Sequence, residues 1–592
     1  MMFERSLTAA RMFSKILIAN RGEIALRVIR TAKEMGIATV AVYSEPDRDS
    51  LHVSAADEAF LLGPAAPSQS YLNGDKLLEI AQRSGAQAIH PGYGFLAENA
   101  GFARSVEAVG LVWIGPHPDA IDAMGDKVRA RQAMVKAGVP VVPGGTQPIA
   151  DAQAARAAAA QYGLPLALKA SGGGGGKGLK VAHTLDEIEA AFTTAQREAN
   201  AYFKNGTIYA ERYLQNPKHV ELQILADKHG NVVHVGERDC SLQRRHQKLW
   251  EEAPALISDK VRTGLRDAGL KAARAIRYDS VGTIECLVAG DEFYFLEMNT
   301  RIQVEHTVSE MISGLDLVRE QIRVAAGEPL GYDQAGVTFR GHSIEGRVNA
   351  EDPGDNFRPA PGTITQYREP AGLGVRVDSA AYAGYTISAD YDSMISKLIV
   401  WAPTRDQARE RLRRAIDEYR IEGVPTTLAL LRALIDHEPV KDGTYGTATL
   451  EPFAAKTFAA PSNGVAHEAA DAKPASEVIR VEVNDKLYRV RILDQSATAG
   501  TPTHGRAPAP RAKTARKSAQ PLGNDVRSPM HGVVVEMSVK DGDAVITGQV
   551  IAVIEAMKMM NEIRAHKDGT VSKVHTSQGQ TIEAQSPLVT LH

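Results

Sequence analysis

The chain has 592 residues, 44% of them hydrophobic and 23% charged, which is the composition of an ordinary globular protein with about three to five domains. The formal net charge of -3 provides no overall field for nucleic acid or an anionic membrane, and no apolar run approaches the roughly 18 residues that a transmembrane helix needs. The two cysteines, Cys240 and Cys286, exclude a disulfide framework and favour a reducing compartment, so a cytoplasmic protein is expected.

An α/β domain is predicted near the start of the chain. Regular patterning begins at Phe13, after a segment, residues 1–12, that lacks the apolar core of a secretory signal. An amphipathic segment from Ile24 to Met35 lies between two apolar runs, in the order strand, helix, strand. The predicted strands of this sheet are residues 15–19, 38–43, 86–90 and 112–114.

A glycine-rich segment, residues 172–178, follows a predicted strand at 166–170. One interpretation is a flexible linker. The other is a phosphate-binding loop, because backbone N–H groups without neighbouring Cβ atoms can surround phosphate oxygens, while Lys169 and Lys177 add positive charge. The preceding strand and the flanking lysines favour the phosphate loop, although the Gly-Lys-Ser/Thr of a Walker motif is absent.

Polar and apolar residues alternate between Glu297 and Glu305. In an extended segment this period places Glu297, Asn299, Arg301, Gln303 and Glu305 on one face. An ordinary amphipathic surface strand is one interpretation, but Asn, Arg and Gln are poor strand formers and the opposite face is apolar enough to be buried. A functional site is therefore favoured.

A second carboxylate, Glu285, lies one predicted hairpin away from Glu297. The two could hold Mg²⁺ with ATP, because Mg²⁺ takes hard oxygen ligands from one or two carboxylates plus phosphates. A plain two-residue turn at Gly290-Asp291 would pair residue 285 with 296 and leave the two carboxylates on opposite faces. The metal hypothesis therefore requires a turn of odd length, or a β-bulge, that pairs Glu285 with Glu297.

Residues 238–248 (RDCSLQRRHQK) are dense in hydrogen-bond donors. They are either a solvated face or, as we favour, a loop that contacts a polyanion. Cys240 is predicted to be a bystander there, because neighbouring arginines could lower the pKa of its thiol but no residue supplies a partner base.

The composition of the chain changes after about residue 458. Residues 477–494 alternate around Asn484-Asp485 and predict one hairpin. Residues 495–520 are rich in Ala, Pro, Thr, Gly, Arg and Lys and contain no acidic residue. They predict a mobile linker, which is either simply solvated or binds a partner through its basic charge.

The C-terminal block contains an internal repeat. Residues 532–542 match residues 569–579 at an offset of 37, and the match continues to Ile554 and Leu591. Two similar runs of short strands predict a small pseudo-symmetric β-sandwich or flattened barrel. Between the two halves lies the sequence EAMKM, residues 555–559.

Several of these segments closely resemble the motifs of a known family. Residues 90–99 (HPGYGFLAEN), 169–178, 238–248, 297–306 and 345–353 (EGRVNAEDP) are similar to motifs of biotin carboxylase, an ATP-grasp enzyme, and residues 555–559 to the biotinylation motif of biotin carboxyl carrier domains. The resemblance covers residues 13–457 and 526–592, with the motifs in the family's order. The arrangement resembles the α subunit of an actinobacterial-type acyl-CoA carboxylase.

The resemblance implies an α/β biotin carboxylase unit followed by a small all-β, biotinyl/lipoyl-like domain. The implied domains are an N-terminal α/β domain at 13–125, an ATP-grasp domain with a mobile glycine-rich lid at 126–340, an α+β C-terminal domain at 341–457, a hairpin and flexible linker at 458–525, and the carrier domain at 526–592.

The resemblance also implies a role for each polar site residue. Biotin would be attached covalently to Lys558. ATP would be bound by Lys127, Lys169, Gly174 and Gly175 of the glycine loop, the segment from Glu211 to Leu214, His219, Gln243 and His246. Mg²⁺ or Mn²⁺ would be bound by Glu285, Glu297 and Asn299.

The remaining implied roles concern the chemical steps. Bicarbonate would be bound by Arg301, Gln303 and the backbone of Val304, and Lys248 would help to fix this anion. Glu305 would be the general base on bicarbonate, and Arg347 would stabilise the biotin enolate with a guanidinium that stays charged.

The implied activity is carboxylation of biotin with ATP and bicarbonate, the first half-reaction of an acetyl- or propionyl-CoA carboxylase of fatty acid biosynthesis. A separate carboxyltransferase β subunit would act on the acyl-CoA, because the residues left over are too few to form that domain. Biotin protein ligase would attach the biotin, and the chain would work in a hetero-oligomer without a nucleic-acid or membrane partner. Val483 and Tyr488 of the predicted hairpin are candidates for docking the β subunit.

Two other functions fit part of the sequence. A different ATP-grasp ligase, with an amine or acid substrate, would have no use for a biotinylated lysine. A biotin carrier and assembly scaffold with an inactive ATP site would not need its polar set, namely Lys169, Glu285, Glu297, Arg301, Glu305 and Arg347. Bicarbonate-dependent ATP hydrolysis with free biotin distinguishes the three.

Overall fold

The structure of the chain is a computed structural model. It describes residues 12–145, 147–171, 178–203, 205–245, 247–458, 478–483, 486–491, 524–529, 532–556, 559–582 and 585–592. Four predicted ligands, Gly174, Gly175, His246 and Lys558, and the predicted linker at 495–520 lie outside these residues. Every helix in the described part of the chain is too short or too polar to cross a lipid bilayer.

The N-terminal region is an α/β unit around a five-stranded parallel sheet. The strands, in spatial order, are Glu58–Gly63, Ala38–Ser44, Lys15–Ile18, Ala88–His90 and Val112–Trp113. The helices are Gly22–Glu34, Leu51–Ala55, Gly74–Ser84, Ala100–Ala108, Pro118–Gly125 and Lys127–Lys136. The central strand is buried on both faces, since Ile16 packs into one core and Leu17 into another. The predicted strands and helix are confirmed.

The centre of the molecule is an eight-stranded antiparallel sheet. Its strands, in spatial order, are Glu292–Asn299, Val281–Ala289, Lys218–Ala226, Val232–Arg244, Gln247–Ala253, His342–Asn349, Met394–Ala402 and Val375–Ser379. The helices that follow or cover these strands are Asp259–Ala275, His306–Ser313, Leu317–Ala325, Arg405–Glu418, Leu428–Leu434, Glu438–Asp442 and Leu450–Thr457. Because Gln247–Ala253 pairs with His342–Asn349, one sheet continues across the predicted boundary at residue 341.

A smaller three-stranded sheet contains the strands that precede and follow the glycine-rich segment in sequence. Leu166–Ala170 lies between Leu179–Ala182 and Ile208–Arg212. The helices Ala152–Tyr162 and Ile188–Phe203 pack against it through a core made largely of alanine. The predicted strand at 166–170 is confirmed, and the Ala-rich helix begins after Asp151, whose side chain accepts a hydrogen bond from Ala154 N.

Short elements complete this part of the chain. The short strands are Glu351–Asp352, Arg358–Pro359, Gly362–Thr363, Gln366–Arg368, Thr386–Ile387 and Arg420–Glu422. The 3₁₀ helices are Glu45–Asp47, Pro67–Gln69, Gln334–Gly336 and Pro353–Asp355. The predicted hairpin is also present, with Val478–Val483 paired to Lys486–Arg491.

The C-terminal region is a sandwich of two four-stranded sheets. One sheet contains Asp525–Arg527, Pro587–Leu591, Gly569–Val574 and Ala544–Val545, and the other contains Met559–Arg564, Val550–Ala556, Gly532–Met537 and Thr581–Ile582. Adding 37 to the first residue of the strand Gly532–Met537 gives the first residue of Gly569–Val574, and the same offset relates Val550 to Pro587. The predicted pseudo-symmetric β-sandwich is confirmed, and each sheet takes strands from both halves.

Candidate active site

A β-bulge aligns the two carboxylates of the predicted metal site. Ala289 pairs with Glu292 across the two-residue turn, but the register shifts between Cys286 and Glu285. Cys286 faces Phe295 and Glu285 faces Glu297, so one residue, Leu296, is extra on its strand. Glu285 and Glu297 are therefore directly opposite, which is the pairing that a shared metal site requires.

Glu285 accepts hydrogen bonds from three side chains at one oxygen. Its Oε1 lies 3.0 Å from Lys248 Nζ, 2.8 Å from Asn299 Nδ2 and 2.8 Å from Gln303 Nε2. The other oxygen, Oε2, lies 3.1 Å from the ring nitrogen Nε2 of His219. These contacts gather residues of three strands and one loop around a single buried carboxylate.

The prediction of one extended segment from Glu297 to Glu305 is wrong beyond Asn299. The strand ends at Asn299, residues 300–305 form a turn, and a helix begins at His306. Alternation of polar and apolar residues does not distinguish a strand from a turn, because a turn can also bring every second side chain to one side. Asn299 and Gln303 nevertheless converge on Glu285, because the turn folds back over the end of the strand.

Glu305 lies between two cations at the start of that helix. Its Oε1 is 2.7 Å from Lys248 Nζ, and its Oε2 is 3.0 Å from Arg347 Nη2. Burial raises the pKa of Glu305, but Lys248 and Arg347 lower it further, and the result is a pKa below the ordinary value. Glu305 is therefore an ionised carboxylate at neutral pH, as a general base must be.

Lys248 is the cation at the centre of the site. Its ammonium contacts Glu221, Glu285 and Glu305, the last two at 3.0 and 2.7 Å. Burial lowers its pKa, but the three carboxylates raise it well above the ordinary value, so Lys248 stays protonated. Gln243, the cross-strand partner of Lys248, is also buried.

Arg238 supports the site from beneath and was not given a role from the sequence. Its side chain is 0% exposed, and its guanidinium donates to Gln303 Oε1 at 2.7 Å and to Glu221 Oε2 at 3.1 Å. It also donates to Gln223 Oε1 at 2.6 Å. Arg238 thus fixes the orientation of two groups that contact Glu285 or Lys248.

Two predicted ATP ligands, Lys169 and Glu211, lie on the small sheet, a third, Leu214, follows it in sequence, and a fourth, Lys127, contacts the central sheet. Lys169 contacts Glu211 Oε1, whose other oxygen is 3.3 Å from Arg131 Nη1. Leu214 is half-buried, two residues beyond the strand that carries Glu211. Lys127 Nζ lies 2.7 Å from Glu297 Oε2.

The donor set fits Mg²⁺ or Mn²⁺. Glu285, Glu297 and Asn299 supply oxygen atoms, which these ions prefer. Lys127 already places a positive charge beside Glu297, and the negative field of Glu297 and Glu285 raises the pKa of Lys127 against the effect of burial. The position therefore attracts a cation.

His219 is a charged neighbour of this set. Burial lowers its pKa, but Glu285 and Glu221 raise it, and the resulting pKa is about 9. The ring Nε2 lies 3.2 Å from Glu221 Oε1.

The remaining predicted residues, Arg301, Arg347 and Val304, also have defined contacts. Arg301 Nε lies 2.9 Å from Glu98 Oε2, and its Nη2 lies 3.0 Å from Asn299 Oδ1. Arg347 Nε donates to Glu251 Oε1 at 2.6 Å. Val304 accepts a hydrogen bond at its carbonyl oxygen from Lys397 Nζ, at 3.0 Å.

Cys240 is buried and free, and burial raises the pKa of its thiol well above the ordinary value. The arginines beside it in sequence do not lower it. A thiol that stays protonated is a poor nucleophile, so the structure agrees with the predicted role as a bystander.

Glu221 and Lys397, which the sequence interpretation missed, had a usable signal. His219, Glu221 and Gln223 alternate along the strand Lys218–Ala226, the same pattern that singled out Glu297 and Asn299. Lys397 is the one charged residue in the apolar strand Met394–Ala402, and a buried lysine needs carboxylate or carbonyl partners.

Comparison with known protein families matches four stretches of the chain. The family described as biotin carboxylase, N-terminal domain, matches residues 12–121, and the carbamoyl-phosphate synthase L chain, ATP binding domain, matches residues 126–332. The biotin carboxylase C-terminal domain matches residues 345–452, and the family described as biotin-requiring enzyme matches residues 524–591.

Curated relatives and solved structures extend the comparison. The chain is 43% identical over 595 residues to the biotin-dependent acyl-coenzyme A carboxylase alpha3 subunit of Mycobacterium leprae, covering 97% of this chain and 98% of that protein. It is 51% identical over 445 residues to biotin carboxylase 1 of Bacillus subtilis, covering 75% of this chain and 99% of the relative.

Two crystal structures are each similar to about three quarters of the chain. The biotin carboxylase-beta-gamma-ATP complex from Campylobacter jejuni has a TM-score of 0.72 and 47% identity, covering 74% of this chain and 98% of that one. The biotin carboxylase domain of 2-oxoglutarate carboxylase from Hydrogenobacter thermophilus, in complex with MgADP, ADP and bicarbonate, has a TM-score of 0.72 and 48% identity, covering 75% and 98%. Because the match to the alpha3 subunit extends over nearly the whole of both proteins, this chain belongs to the family of biotin-dependent acyl-CoA carboxylase α subunits, in which an ATP-dependent biotin carboxylase is joined to a biotin-carrying domain.

Proposed function

We propose that this chain carboxylates biotin on its own Lys558 and passes the carboxyl group to a separate carboxyltransferase β subunit, which transfers it to a short acyl-CoA such as acetyl- or propionyl-CoA. The observation that carries the proposal is the buried Glu305, held 2.7 Å from Lys248 and 3.0 Å from Arg347 in a chain that also has a carrier domain. A carboxylate base between two cations suits the proposed reaction. The base would activate bicarbonate, and the cations would stabilise bicarbonate and then the oxyanion of biotin.

ATP would bind between the small sheet and the central sheet. Lys127, Lys169 and His219 would neutralise its phosphates, and residues 211–214 would contact adenine. Glu285, Glu297 and Asn299 would hold Mg²⁺ or Mn²⁺, which screens the phosphate charges during phosphoryl transfer. Lys127 would then exchange Glu297 for phosphate oxygens, since its present partner would be a metal ligand.

Bicarbonate would bind beside Glu305. Arg301, Gln303 and the backbone of Val304 would hold it, and Lys248 would offset its charge. Glu305 would accept the proton of bicarbonate, so that a bicarbonate oxygen can attack the γ-phosphorus and ADP can leave. The resulting carboxyphosphate would release CO₂ and phosphate. The phosphate would then take a proton from biotin, which accepts the carboxyl group.

Arg347 would act in the second step. Its guanidinium stays charged and offers planar paired donors, which suits the oxyanion that develops on biotin. In the structure it is held by Glu305 and Glu251, so it is oriented before the acceptor arrives. A preorganised donor does not have to reorient during the reaction.

Delivery of biotin would depend on the segment before the carrier domain. Biotin protein ligase would attach biotin to Lys558, and the predicted linker at 495–520 would let the carrier travel. A flexible coil of about 26 residues has a root-mean-square reach of roughly 25–30 Å, which is compatible with movement between two active sites. Val483 and Tyr488 of the hairpin remain the proposed docking residues.

A separate β subunit is supported by the name of the relative, an alpha3 subunit, because this chain matches 98% of that protein's length. A hetero-oligomer in the cytoplasm is the proposed setting. The free, buried state of both Cys240 and Cys286 fits a reducing compartment.

The test supplies radiolabelled bicarbonate and ATP to the purified chain. We expect bicarbonate-dependent ATP hydrolysis with free biotin, and no label in acetyl-CoA or propionyl-CoA until the partner is added. The partner can be recovered by pull-down through the biotin. Label in an acyl-CoA with this chain alone, in a preparation free of the partner, would overturn the two-subunit proposal.

A further inference from the structure

Two buried glutamates face one another behind Arg347. Glu251 and Glu345 are directly opposite on the paired strands Gln247–Ala253 and His342–Asn349. Both are 0% exposed. Directly opposed residues of an antiparallel pair have Cβ atoms about 4.5–5.5 Å apart, so the two carboxyl groups are neighbours in the sheet.

Each carboxyl group uses only one of its oxygens. Glu251 Oε1 accepts from Arg347 Nε at 2.6 Å, and Glu345 Oε2 accepts from the hydroxyl of Thr307. In the described part of the chain, Glu251 Oε2 and Glu345 Oε1 are buried and accept no hydrogen bond. A buried acceptor without a donor is costly, and two such acceptors on facing carboxylates would both be satisfied by one proton between them.

The surrounding cations are already engaged by other carboxylates. Arg347 also contacts Glu305 at 3.0 Å. Lys248 contacts Glu221, Glu285 and Glu305. These charges do not suffice to compensate two further ionised carboxylates at the same place.

Lys397, the remaining cation near the pair, has its own partners. It lies 3.2 Å from Glu23 Oε2 and 3.8 Å from Asp378 Oδ2. Like charges side by side in a buried site favour retention of one proton.

The pKa shifts of the two glutamates also favour a retained proton. Burial raises the pKa of Glu251 to about 7, with Arg347 opposing the rise and Glu305 adding to it. Burial and the neighbouring Glu251 raise the pKa of Glu345 well above its ordinary value. Both shifts favour a pair that keeps one proton and so carries one negative charge instead of two.

We propose that Glu251 and Glu345 share one proton, and that Glu345 is a positioning residue, which through this proton limits the negative charge beside Arg347. The functional part of this inference rests on the proposed role of Arg347. With one charge on the pair, Glu251 orients the guanidinium but leaves much of its positive field for the reacting oxyanion. Loss of the proton adds a second negative charge next to Arg347 and weakens that stabilisation.

The first measurement detects the proton itself. Infrared difference spectroscopy of the wild-type chain, titrated from about pH 6 to about pH 9, should show the carbonyl stretch of a buried protonated carboxyl that disappears as the pH rises. Glu345→Gln should lose the part of this band that belongs to the pair, and any band that remains would come from Glu23, whose pKa burial also raises to about 7. An equal band in the two proteins would contradict the proposal. Absence of the band in the wild-type chain would overturn the shared proton, whatever the enzyme's activity.

The second measurement follows carboxylation of free biotin over the same pH range. Wild-type turnover should fall by about tenfold per pH unit once the pair ionises, while Glu345→Gln, which cannot ionise, should lose this alkaline decline. The KM for ATP should be the same in both proteins. An unchanged alkaline limb in Glu345→Gln would overturn the positioning role.

Two controls separate the possible failures. Glu320→Gln changes another buried carboxyl, paired with Arg323 outside the site, and should leave the pH profile of the wild type unaltered. If biotin carboxylation is absent altogether, the proposed function fails, but the infrared band still reports on the proton. The two hypotheses can thus be rejected independently.

Discussion

The central sheet and the carrier domain differ in the chemical character of the side chains that they bury. Beneath the active site the central sheet buries charged groups, among them Arg238, Glu221 and Glu251, each 0% exposed. In the described part of the carrier, the buried polar residues are Ser528 and Thr576, and the rest of the core is aliphatic. A buried charge network contributes little net stability but holds groups in fixed orientations, whereas an aliphatic core contributes stability with no chemistry.

The difference follows from what each region must do. Under the proposed function, the carboxylase would place a base and several cations around small anions, so it would need charges in a dry interior, where each charge requires partners. The carrier would only have to present one lysine. Its strands repeat at an offset of 37 residues, and equivalent core positions such as Ile554 and Leu591 are both buried.

Lys558→Arg is the substitution with the largest expected effect. It should change the carrier domain and leave the carboxylase unchanged. Biotin attachment should be lost completely, because a guanidinium cannot act as the amine nucleophile, while carboxylation of free biotin should persist. An avidin blot measures the first and bicarbonate-dependent ATP hydrolysis the second. Lys573→Arg, an exposed lysine of the same domain, is the matched control and should keep its biotin. A biotin band in Lys558→Arg would place the attachment elsewhere.

Glu305→Gln tests the charged interior by removing one negative charge without changing the shape of the side chain. Bicarbonate-dependent turnover should fall by roughly 10²–10⁴, the usual effect of losing a general base, while ATP binding is retained. Steady-state kinetics and a nucleotide-binding titration measure the two quantities. Glu328→Gln, paired with Arg323 away from the site, should behave like the wild type. Normal turnover with weakened ATP binding would show that the assigned role is wrong.

Arg238→Met tests whether the buried network needs all its members. Removing the guanidinium takes the donor away from two buried oxygens, Glu221 Oε2 and Gln303 Oε1, and loss of one partner of a buried ion pair costs about 3–5 kcal/mol. Denaturant unfolding of the carboxylase transition should report this loss, together with reduced turnover. Stability equal to the wild type would mean that water or another side chain replaces Arg238.

Ile554→Ala and Leu591→Ala make the opposite test in the carrier domain. Each should lower the stability of that domain by about 2–5 kcal/mol, through lost burial and the cavity left behind, and the two costs should be similar because the positions are related by the repeat. Thermal unfolding of the full chain measures the change. Carboxylation of free biotin should not change. A drop in that activity would show that the two cores are coupled.

The sequence alone determined the local elements and the repeat. Strand and helix periods predicted the α/β sheet around residues 15–18, and the match between residues 532–542 and 569–579 predicted the repeated strands of the carrier. These features depend on the spacing of neighbouring residues, so a pattern in the chain is enough to predict them. Strand periodicity also showed that Glu285 and Glu297 share a face only if a turn of odd length or a β-bulge lies between them. It did not decide whether such a turn or bulge is present.

Tertiary structure decided how the polar groups meet. The bulge at Leu296, the turn that ends the strand at Asn299 and the buried contacts of Arg238 depend on pairing between strands that are distant in the chain. Glu305 is 57 residues from Lys248 and 42 from Arg347, yet it contacts both. Periodicity specifies which face a side chain occupies, but the register of distant strands is set by the packing of the whole sheet, and only that packing brings these three charges together.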